Sequence, residues 1–450
     1  MLKRKIDDYL NSWKSNKDRN PLIVYGARQI GKTTSIREFG KKYARFIEIN
    51  FVEHPEFKQA FSTFDVEQII KRLSFLNPNF VFEPHNTLVF FDEIQECVNA
   101  TTSLKFFKLD GKYDVICAGS ALGVNTTAIS SVSVGYRDEF IMHQLDFEEY
   151  LWACGYDNEL MSYLLECMSK AKPLENLYYD KLRELYREFI VLGGYPKIVS
   201  NFLSNNRNYS NVLSMQKRLY DDYVDDISKY LSGIDVAKAQ RMFKSIPAQL
   251  AKENHKFQFS KLGHGARFNE YYGVGEWLRD SGSVLIANNC QLSLPLKGNE
   301  EINNFRMYYS DSGLLIASLD DESQMDLRNN MNFSVYNGAI YESILASELR
   351  KQGYDLYFYR SLDSTIELDF IIRFMDEILP LEVKAKNGRA VSLSSVIANS
   401  KINVSHGIKF ADANIGYSNG IFTFPHSLAF LLKRFLGEKR KNGSLISTDI

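Results

Sequence analysis

The sequence predicts an α/β protein in which a parallel-sheet domain comes first, helices follow, and a second α/β domain comes last. Within the first 150 residues, continuous apolar runs alternate with amphipathic stretches, a pattern typical of buried parallel strands that helices cover on both faces. The apolar spacing then becomes helical as far as about residue 235. Beyond residue 332, a helical pattern precedes three strand-like runs, which indicates the second α/β domain.

Five strands are expected in the first domain, residues 1–150. They are the runs at 21–26, 44–51, 87–93, 113–120 and 139–147. Residues 151–235 form the predicted helical segment, and the pair Gly193–Gly194 ends one of its helices.

The order of elements in residues 236–318 predicts a winged helix. A helix-like run at 266–280 precedes the strand-like runs SGSVLIANN and QLSLPL and a closing strand, RMYYSD. Within the polar stretch 320–332, the segment DESQMDLRNN, residues 321–330, is the expected linker to the last domain, residues 333–450. That domain contains a helix, VYNGAIYESILASELRKQG, and the strands LYFYRS, TIELDFIIRF and ILPLEVKA.

The charges of the 450 residues almost cancel, because 54 Lys and Arg face 55 Asp and Glu, for a net charge of -1. This balance excludes a uniformly basic nucleic-acid coat protein, so nucleic-acid contact has to come from a local patch. The N-terminal stretch MLKRKIDDYL carries charges where a signal peptide would be apolar. No apolar run approaches the roughly 20 residues that cross a bilayer. With five separated cysteines, these features predict a cytoplasmic protein with reduced thiols and no membrane contact.

A phosphate-binding loop is predicted directly after the first strand. The segment GARQIGKT matches GxxxxGK[ST], in which backbone N–H groups and the start of a helix surround phosphates. Lys32 would reach the β and γ oxygens, and the Thr33 hydroxyl would bind Mg²⁺. The predicted ligands are therefore ATP and Mg²⁺. The expected nucleotide-binding residues are Gly26, Ala27, Arg28, Gln29, Ile30, Gly31, Lys32, Thr33 and Thr34.

Three later segments supply candidate partners for this loop. The strand TLVFFDE would bring Asp92 near Thr33 to hold Mg²⁺ through water, with Glu93 beside it to activate the attacking water. Ser120 ends another strand, where it can sense the γ-phosphate, or it is an ordinary strand-to-loop serine. Arg137 can stabilise transition-state charge in its own subunit or in a neighbouring one, and the second case would require an oligomer. Alternatively, Arg137 is a surface arginine.

With these residues in place, the chain resembles bacterial and archaeal AAA-type ATPases that carry a winged helix and a C-terminal domain of the restriction-endonuclease-like PD-(D/E)xK type. The segments GARQIGKTT and FFDEIQ resemble Walker A and Walker B motifs, and AGSAL and GYRDEFIMHQLDFEEYL resemble the following sensor and arginine segments. The later segments that carry the resemblance are LGGYPKIV, YVDDISKY, MYYSDSGLL, NGAIYESILASEL, ELDFII and LPLEVKAK. The resemblance covers nearly the whole chain.

The resemblance implies a metal-dependent nuclease site in the last domain. Glu342, Asp369 and Glu382 would bind a divalent metal against the scissile phosphate, and Lys384 would orient or activate water. Residues 381–410 contain five cations against Glu382, a local +4, which favours this domain for contact with nucleic acid.

Two hypotheses remain at this point. In the first, the nucleotide state of an ATPase controls a nuclease-like domain that acts on nucleic acid. In the second, the protein is an ATP-dependent switch whose nuclease-like domain is catalytically silent and binds a protein partner. Both hypotheses use Lys32, Asp92 and Glu93. They differ in the role of the C-terminal acids and Lys384.

Overall fold

A computed structural model describes residues 1–120, 135–231, 233–251, 256–330, 338–363, 365–441 and 445. The chain forms two compact units, which we call the first unit and the second unit. The first unit is Met1–Gln144 with Asp280–Gly282, and the second unit is Leu145–Arg279 with Ser283–Ile450. Across the described residues, we find no helix with the length and apolar character that membrane crossing requires.

A five-stranded parallel sheet forms the centre of the first unit. Its strands are β1 (Leu22–Gly26), β2 (Arg45–Asn50), β3 (Thr87–Asp92), β4 (Asp114–Ser120) and β5 (Asp138–Ile141). Their order across the sheet is β2-β3-β4-β1-β5, and each neighbouring pair is parallel. Four of the predicted runs contain β1 to β4, and the fifth, 139–147, overlaps β5, which begins one residue earlier and ends at Ile141. The predicted parallel sheet is therefore confirmed, with a shorter last strand.

The helices of the first unit cover strands that are apolar on both faces. They are α1 (Lys5–Ser15), α2 (Lys32–Gly40), α3 (Val66–Leu76) and α4 (Val98–Asp110), with 3-10 helices at Pro55–Ser62 and Ile94–Glu96. Strands β1 and β3 are buried along their whole length. On one face, the Phe91 ring packs against Phe51, Phe61 and Phe107, with ring centroids 5.3–5.9 Å apart. This aromatic packing fixes β3 immediately before its terminal residue, Asp92.

The second unit begins with helices, as the sequence predicts. Its helices are α5 (Phe147–Ala153), α6 (Asn158–Ser169), α7 (Asn176–Leu192), α8 (Pro196–Ser204), α9 (Val212–Tyr230), α10 (Ile234–Leu250), α11 (Phe268–Asp280), α12 (Ser312–Ala317), α13 (Asp321–Asn330), α14 (Ala339–Lys351), α15 (Val391–Ile397) and α16 (Leu432–Lys441). Short 3-10 helices lie at Phe259–Lys261 and His426–Leu431. The stretch expected to be a linker is helical over α13, because the Asp320 side chain accepts a hydrogen bond from Ser323 N at 2.9 Å and caps the helix.

Eight strands of the second unit form a mixed sheet. They are β6 (Val284–Cys290), β7 (Glu300–Tyr309), β8 (Tyr357–Arg360), β9 (Glu367–Phe374), β10 (Glu377–Lys384), β11 (Gly407–Ala411), β12 (Gly416–Ser418) and β13 (Ile421–Pro425). Their order is β12-β13-β11-β10-β9-β8-β6-β7. The pairs β6/β8, β10/β11 and β11/β13 are parallel, and the other neighbours are antiparallel.

The β6–β7 hairpin, which we expected within a separate winged-helix domain, lies at one edge of this sheet. Strand β6 pairs with β8, with Asn288 opposite Tyr357. The predicted strand QLSLPL is a loop, and β7 pairs with β6 instead. Pro295 has no N–H to donate to a strand ladder, and a hydrogen bond of 3.1 Å from Gln291 N to Asn299 O closes the loop. Residues 236–318 and 333–450 therefore contribute strands to one sheet.

Two of the segments that carry the family resemblance, LGGYPKIV and MYYSDSGLL, pack against each other in the second unit. Gly194 N donates to Asp311 Oδ2 at 2.7 Å, and Gly194 O accepts from Leu145 N at 2.7 Å. Asp311 Oδ1 accepts from Gly313 N at 2.8 Å and caps α12. A Cβ at position 194 would lie 2.3 Å from Leu145 O. Gly194 therefore does more than follow a helix end, because its missing side chain lets three backbone segments meet.

We expect Gly194→Ala to destabilise the second unit by about 2–3 kcal/mol, because the added methyl group forces a packed backbone apart. The measurement is thermal unfolding of the full chain. Gly437→Ala is the matched control, since a Cβ at this glycine of α16 meets no atom within 4 Å. The control should keep or slightly raise the melting temperature. Equal melting temperatures for Gly194→Ala and the wild type would contradict the prediction.

Candidate nucleotide site and C-terminal acidic cluster

The predicted phosphate loop joins the end of β1 to the start of α2. Gly26 has φ +152° and Gly31 has φ +95°, a backbone region that side-chain-bearing residues rarely adopt. A Cβ on Gly26 would also lie 2.2 Å from Met142 O. Both glycines are therefore required by the loop conformation. The N-terminus of α2, with its exposed backbone N–H groups, opens onto this loop.

Lys32 is the first residue of α2, and its ammonium group lies within the loop. Its Nζ donates to Gly26 O at 2.8 Å and to Ala27 O at 2.7 Å. Burial lowers the pKa of Lys32 to about 8, and the nearby carboxylates of Asp92 and Glu93 oppose this shift. The loop thus holds a cation that can exchange carbonyl oxygens for phosphate oxygens.

Asp92 ends β3 beside Thr33, as the sequence predicts. The Thr33 hydroxyl donates to Asp92 Oδ2 at 3.0 Å. The Asp92 side chain is buried, with 6% of the residue exposed, and burial raises its pKa to about 6. A hydroxyl and a carboxylate beside a phosphate loop are the hard oxygen donors that Mg²⁺ prefers, so these two residues fit the predicted ion. Bound there with a nucleotide, Mg²⁺ would neutralise phosphate charge.

Glu93 follows Asp92 in a left-handed backbone conformation, with φ +53°. Its N–H donates to Asp92 Oδ1 at 3.1 Å, and its Oε2 accepts from Gln95 Nε2 at 2.5 Å. The buried Gln95 therefore restrains the orientation of the Glu93 carboxylate. Gln95 was not among the predicted site residues, and its place two residues after Glu93 in FFDEIQ was the only local signal for it.

Ser120 and Arg137 are also placed by the parallel sheet. Ser120 ends β4 directly opposite Gly26 of β1, at the strand edge that carries the phosphate loop. Arg137 precedes β5, and its Nε donates to Glu139 Oε1 at 2.9 Å. The sensor role of Ser120 and the charge-stabilising role of Arg137 stay predictions.

Arg4 is a further residue that the sequence analysis did not single out. It is 4% exposed and precedes α1. Its Nη1 donates to Ile30 O at 2.8 Å and its Nη2 to His143 O at 2.7 Å. Arg4 thus holds the backbone of the phosphate loop from a distant part of the chain, and no local sequence pattern indicates this role.

Residues 18–151 match the family model of an AAA domain. The first unit contains an AAA-type P-loop domain. Two models described as domains of unknown function match elsewhere, DUF8612 over residues 183–325 and DUF4143 over residues 337–427. No curated protein has a significant sequence match to this chain. The winged-helix and nuclease-like interpretations thus receive no support from the family models.

Solved structures similar to the chain include three archaeal proteins. The Walker-type ATPase of Pyrococcus abyssi is 14% identical, with 71% of this chain and 96% of that chain covered, and a TM-score of 0.42. The Aeropyrum pernix ORC1 protein in complex with DNA is 12% identical, with coverage of 72% and 92% and a TM-score of 0.31. Cdc6p from Pyrobaculum aerophilum is 12% identical, with coverage of 75% and 93% and a TM-score of 0.26. The family model, and not these structures, identifies the AAA domain.

The predicted C-terminal residues lie on neighbouring elements of the second unit. Glu342 is on α14, Asp369 is on β9, and Glu382 and Lys384 are on β10. Glu382 Oε1 and Lys384 Nζ form an ion pair of 2.6 Å. Asp369 Oδ2 accepts from Val383 N at 2.7 Å. The structure therefore places Asp369 beside the strand that carries Glu382 and Lys384. We call Glu342, Glu367, Asp369 and Glu382 the acidic cluster.

The acidic cluster, where we predicted a metal site, contains an arginine side chain. Within the described ranges, no three His, Cys, Asp or Glu side chains are placed to hold a metal ion. Arg306 of β7 enters the cluster, with Nη1 2.7 Å from Glu342 Oε1 and 3.8 Å from Asp369 Oδ1. As placed, Glu342, Asp369 and Glu382 do not fit a shared Mg²⁺ ion. Nothing in the sequence pattern around Arg306 indicated this contact.

The acidic cluster combines two buried carboxylates, Glu342 and Glu382, with two partly exposed ones, since 20% of the Asp369 side chain and 30% of the Glu367 side chain are exposed. Burial raises the pKa of Asp369 well above its usual range, and the negative charges of Glu382 and Glu342 raise it further. Burial also raises the pKa of Glu382, which Lys384 opposes. Glu382 Oε2 has no hydrogen-bond partner in the described part of the chain. The cluster therefore depends on the cations that adjacent strands supply.

Proposed function

We propose that this chain binds ATP with Mg²⁺ and hydrolyses it in the AAA domain. The observation that carries the proposal is the 3.0 Å hydrogen bond between Thr33 and Asp92, next to a loop that already contains the Lys32 ammonium group. These groups come from two elements far apart in sequence, α2 and β3. Such a combination supports phosphate binding and not merely a glycine turn between a strand and a helix.

In the proposed reaction, each residue acts at a stated position. The backbone N–H groups of the loop and Lys32 bind the phosphates, and Thr33 and Asp92 hold the bound Mg²⁺. Glu93 orients a water molecule and accepts its proton. Ser120 senses the γ-phosphate, and Arg137 stabilises charge in the transition state, in the same or a neighbouring subunit. Release of phosphate from ATP by the full chain tests the proposal, and absence of turnover would overturn it.

A second candidate function is contact with nucleic acid through a basic loop after β10. Lys386 and Arg389 are exposed, and Lys384 is half-buried beside them. Lys409 Nζ donates to Asn387 Oδ1 at 3.0 Å and to Gly388 O at 3.3 Å. Lys409 therefore closes the loop and adds a fourth positive charge at its base. Clustered cations of this kind bind phosphate backbones through counterion release.

We expect the double variant Lys386→Ala/Arg389→Ala to weaken binding of labelled DNA or RNA and to lower the salt slope of log K by roughly 2. Fluorescence anisotropy at several salt concentrations, with ATP or ADP present, measures both effects and any control by nucleotide. The control variant is Lys170→Ala/Lys181→Ala, which removes two exposed lysines of the same unit, one directly after α6 and one on α7. Equal affinities and slopes for both double variants would contradict a nucleic-acid role and favour a protein partner.

A further inference from the structure

Arg306 is a fully buried cation that belongs to the β6–β7 hairpin and not to the C-terminal strands. Its side chain is 1% exposed. The guanidinium group pairs with Glu342 and with Glu367, and it lies 3.8 Å from Asp369. Its Cζ is 4.3 Å from the centroid of the Phe358 ring. The positive charge is therefore held inside the acidic cluster by carboxylates on one side and an aromatic face on the other.

The same strand supplies a second donor to the same carboxylate. Tyr308 lies two residues after Arg306 on β7, so both side chains project from one face of the strand. The Tyr308 hydroxyl donates to Glu342 Oε1, the oxygen that also accepts from Arg306 Nη1. Glu342 is thus engaged by two groups of β7. Because Arg306 is paired with Ala287 and Tyr308 with Leu285 of β6, this arrangement is part of the sheet and not a surface contact.

The charges of the acidic cluster explain why a cation is needed there. Four carboxylates lie close together. Besides Arg306, two cations pair with them: Lys384 Nζ lies 2.6 Å from Glu382 Oε1, and Arg360 Nε lies 3.7 Å from Glu367 Oε2. Without Arg306, Glu342 and Asp369 would lie near each other with like charge, and the negative charge of Glu342 already raises the pKa of Asp369. Uncompensated buried charges are strongly unfavourable, so a cation or protonation has to balance them.

We propose that Arg306 takes the place of a divalent metal ion in the acidic cluster, so that the wild-type second unit has an ion-paired core there and no metal-dependent hydrolytic centre. Arginine suits this role, because its planar guanidinium group reaches several carboxylates at once and stays charged when buried. The inference does not depend on ATP hydrolysis in the AAA domain. It favours the hypothesis in which the nuclease-like domain is catalytically silent.

The test is Mn²⁺ binding to the full chain without nucleotide, followed by electron paramagnetic resonance and by thermal unfolding. Mn²⁺ prefers the same oxygen ligands as Mg²⁺ and is detected directly. We expect the wild type and Asp369→Asn to bind Mn²⁺ identically. We expect Arg306→Gln to gain one Mn²⁺ ion and a Mn²⁺-dependent rise in melting temperature of about 4 °C or more at saturating metal. The double variant Arg306→Gln/Asp369→Asn should lose both gains.

Arg306→Lys is the matched control, since it keeps the charge and should behave as the wild type toward Mn²⁺. Two results would overturn the inference: Mn²⁺ binding to the wild type that Asp369→Asn removes, or a folded Arg306→Gln that gains no metal. If Arg306→Gln does not fold, the comparison of wild type with Asp369→Asn still decides, because binding at the cluster in the wild type requires Asp369.

Discussion

Replacing Lys32 by alanine is expected to lower ATP turnover by roughly 100-fold or more and to weaken nucleotide binding. The Lys32 ammonium group is held inside the phosphate loop by Gly26 O and Ala27 O, where a bound nucleotide would place its β- and γ-phosphates. Loss of one such preorganised donor costs about 3–4 kcal/mol of transition-state stabilisation, or roughly 100- to 1000-fold in rate. Phosphate release measures turnover, and a fluorescent nucleotide measures affinity.

The control for this substitution is Lys41→Ala, which removes an exposed lysine directly after the same helix. Lys41 pairs with Glu38 at 2.5 Å on the surface, so its loss should leave turnover unchanged. Both variants should unfold at similar temperatures. Turnover in Lys32→Ala equal to that of Lys41→Ala would remove the basis for an ATPase.

Glu93→Gln is expected to separate binding from hydrolysis. The glutamine keeps the size of the side chain and leaves Asp92 and Thr33 in place, but it cannot accept the proton of the attacking water. Loss of general base catalysis lowers rates by about 100- to 10,000-fold. We therefore expect nucleotide affinity close to wild type and turnover reduced by at least about 100-fold. Single-turnover hydrolysis in parallel with equilibrium nucleotide binding measures the two effects.

Glu96→Gln is the control, because Glu96 is exposed three residues later and pairs with Lys58 at the surface. It should bind and hydrolyse ATP as the wild type does. If Glu93→Gln retained full turnover while Lys32→Ala lost it, ATP hydrolysis would stand but another residue would have to accept the proton. If Glu93→Gln lost as much nucleotide affinity as Lys32→Ala, Glu93 would instead have a structural role.

The nucleotide site could be predicted because its parts are local in sequence. Gly26, Gly31 and Lys32 lie close together in sequence, between a strand and a helix, so their spacing alone predicts the conformation of the phosphate-binding loop. Asp92 could be placed because parallel strands end at one edge of a sheet, and β3 does end beside Thr33. The contact of Gln95 with Glu93 was not predicted, because Glu93 adopts a left-handed backbone conformation that the sequence did not indicate.

The strand pairing in the second unit could not be predicted from local sequence patterns. The β6–β7 hairpin looked like part of a winged helix, because a hairpin after a helix has the same local pattern whichever sheet it joins. Its pairing with β8 depends on contacts between residues far apart in the chain, Asn288 with Tyr357 and Asn289 with Phe358. The run QLSLPL has the apolar alternation of a strand, but Pro295 and the loop-closing hydrogen bonds of Asn299 override that pattern.

By itself, the amino-acid sequence determined the parallel sheet, the phosphate loop and the residues that would serve ATP, because these follow from short-range spacing and backbone geometry. It also identified Glu342, Asp369, Glu382 and Lys384 as a group. Only the tertiary structure decided what surrounds that group. Pairing of β7 within the mixed sheet carries Arg306 into the cluster, 36 residues before its partner Glu342. A buried carboxylate is balanced by a cation that the fold places next to it. The distance between the two groups is set by strand pairing in the sheet and not by the sequence around the acids.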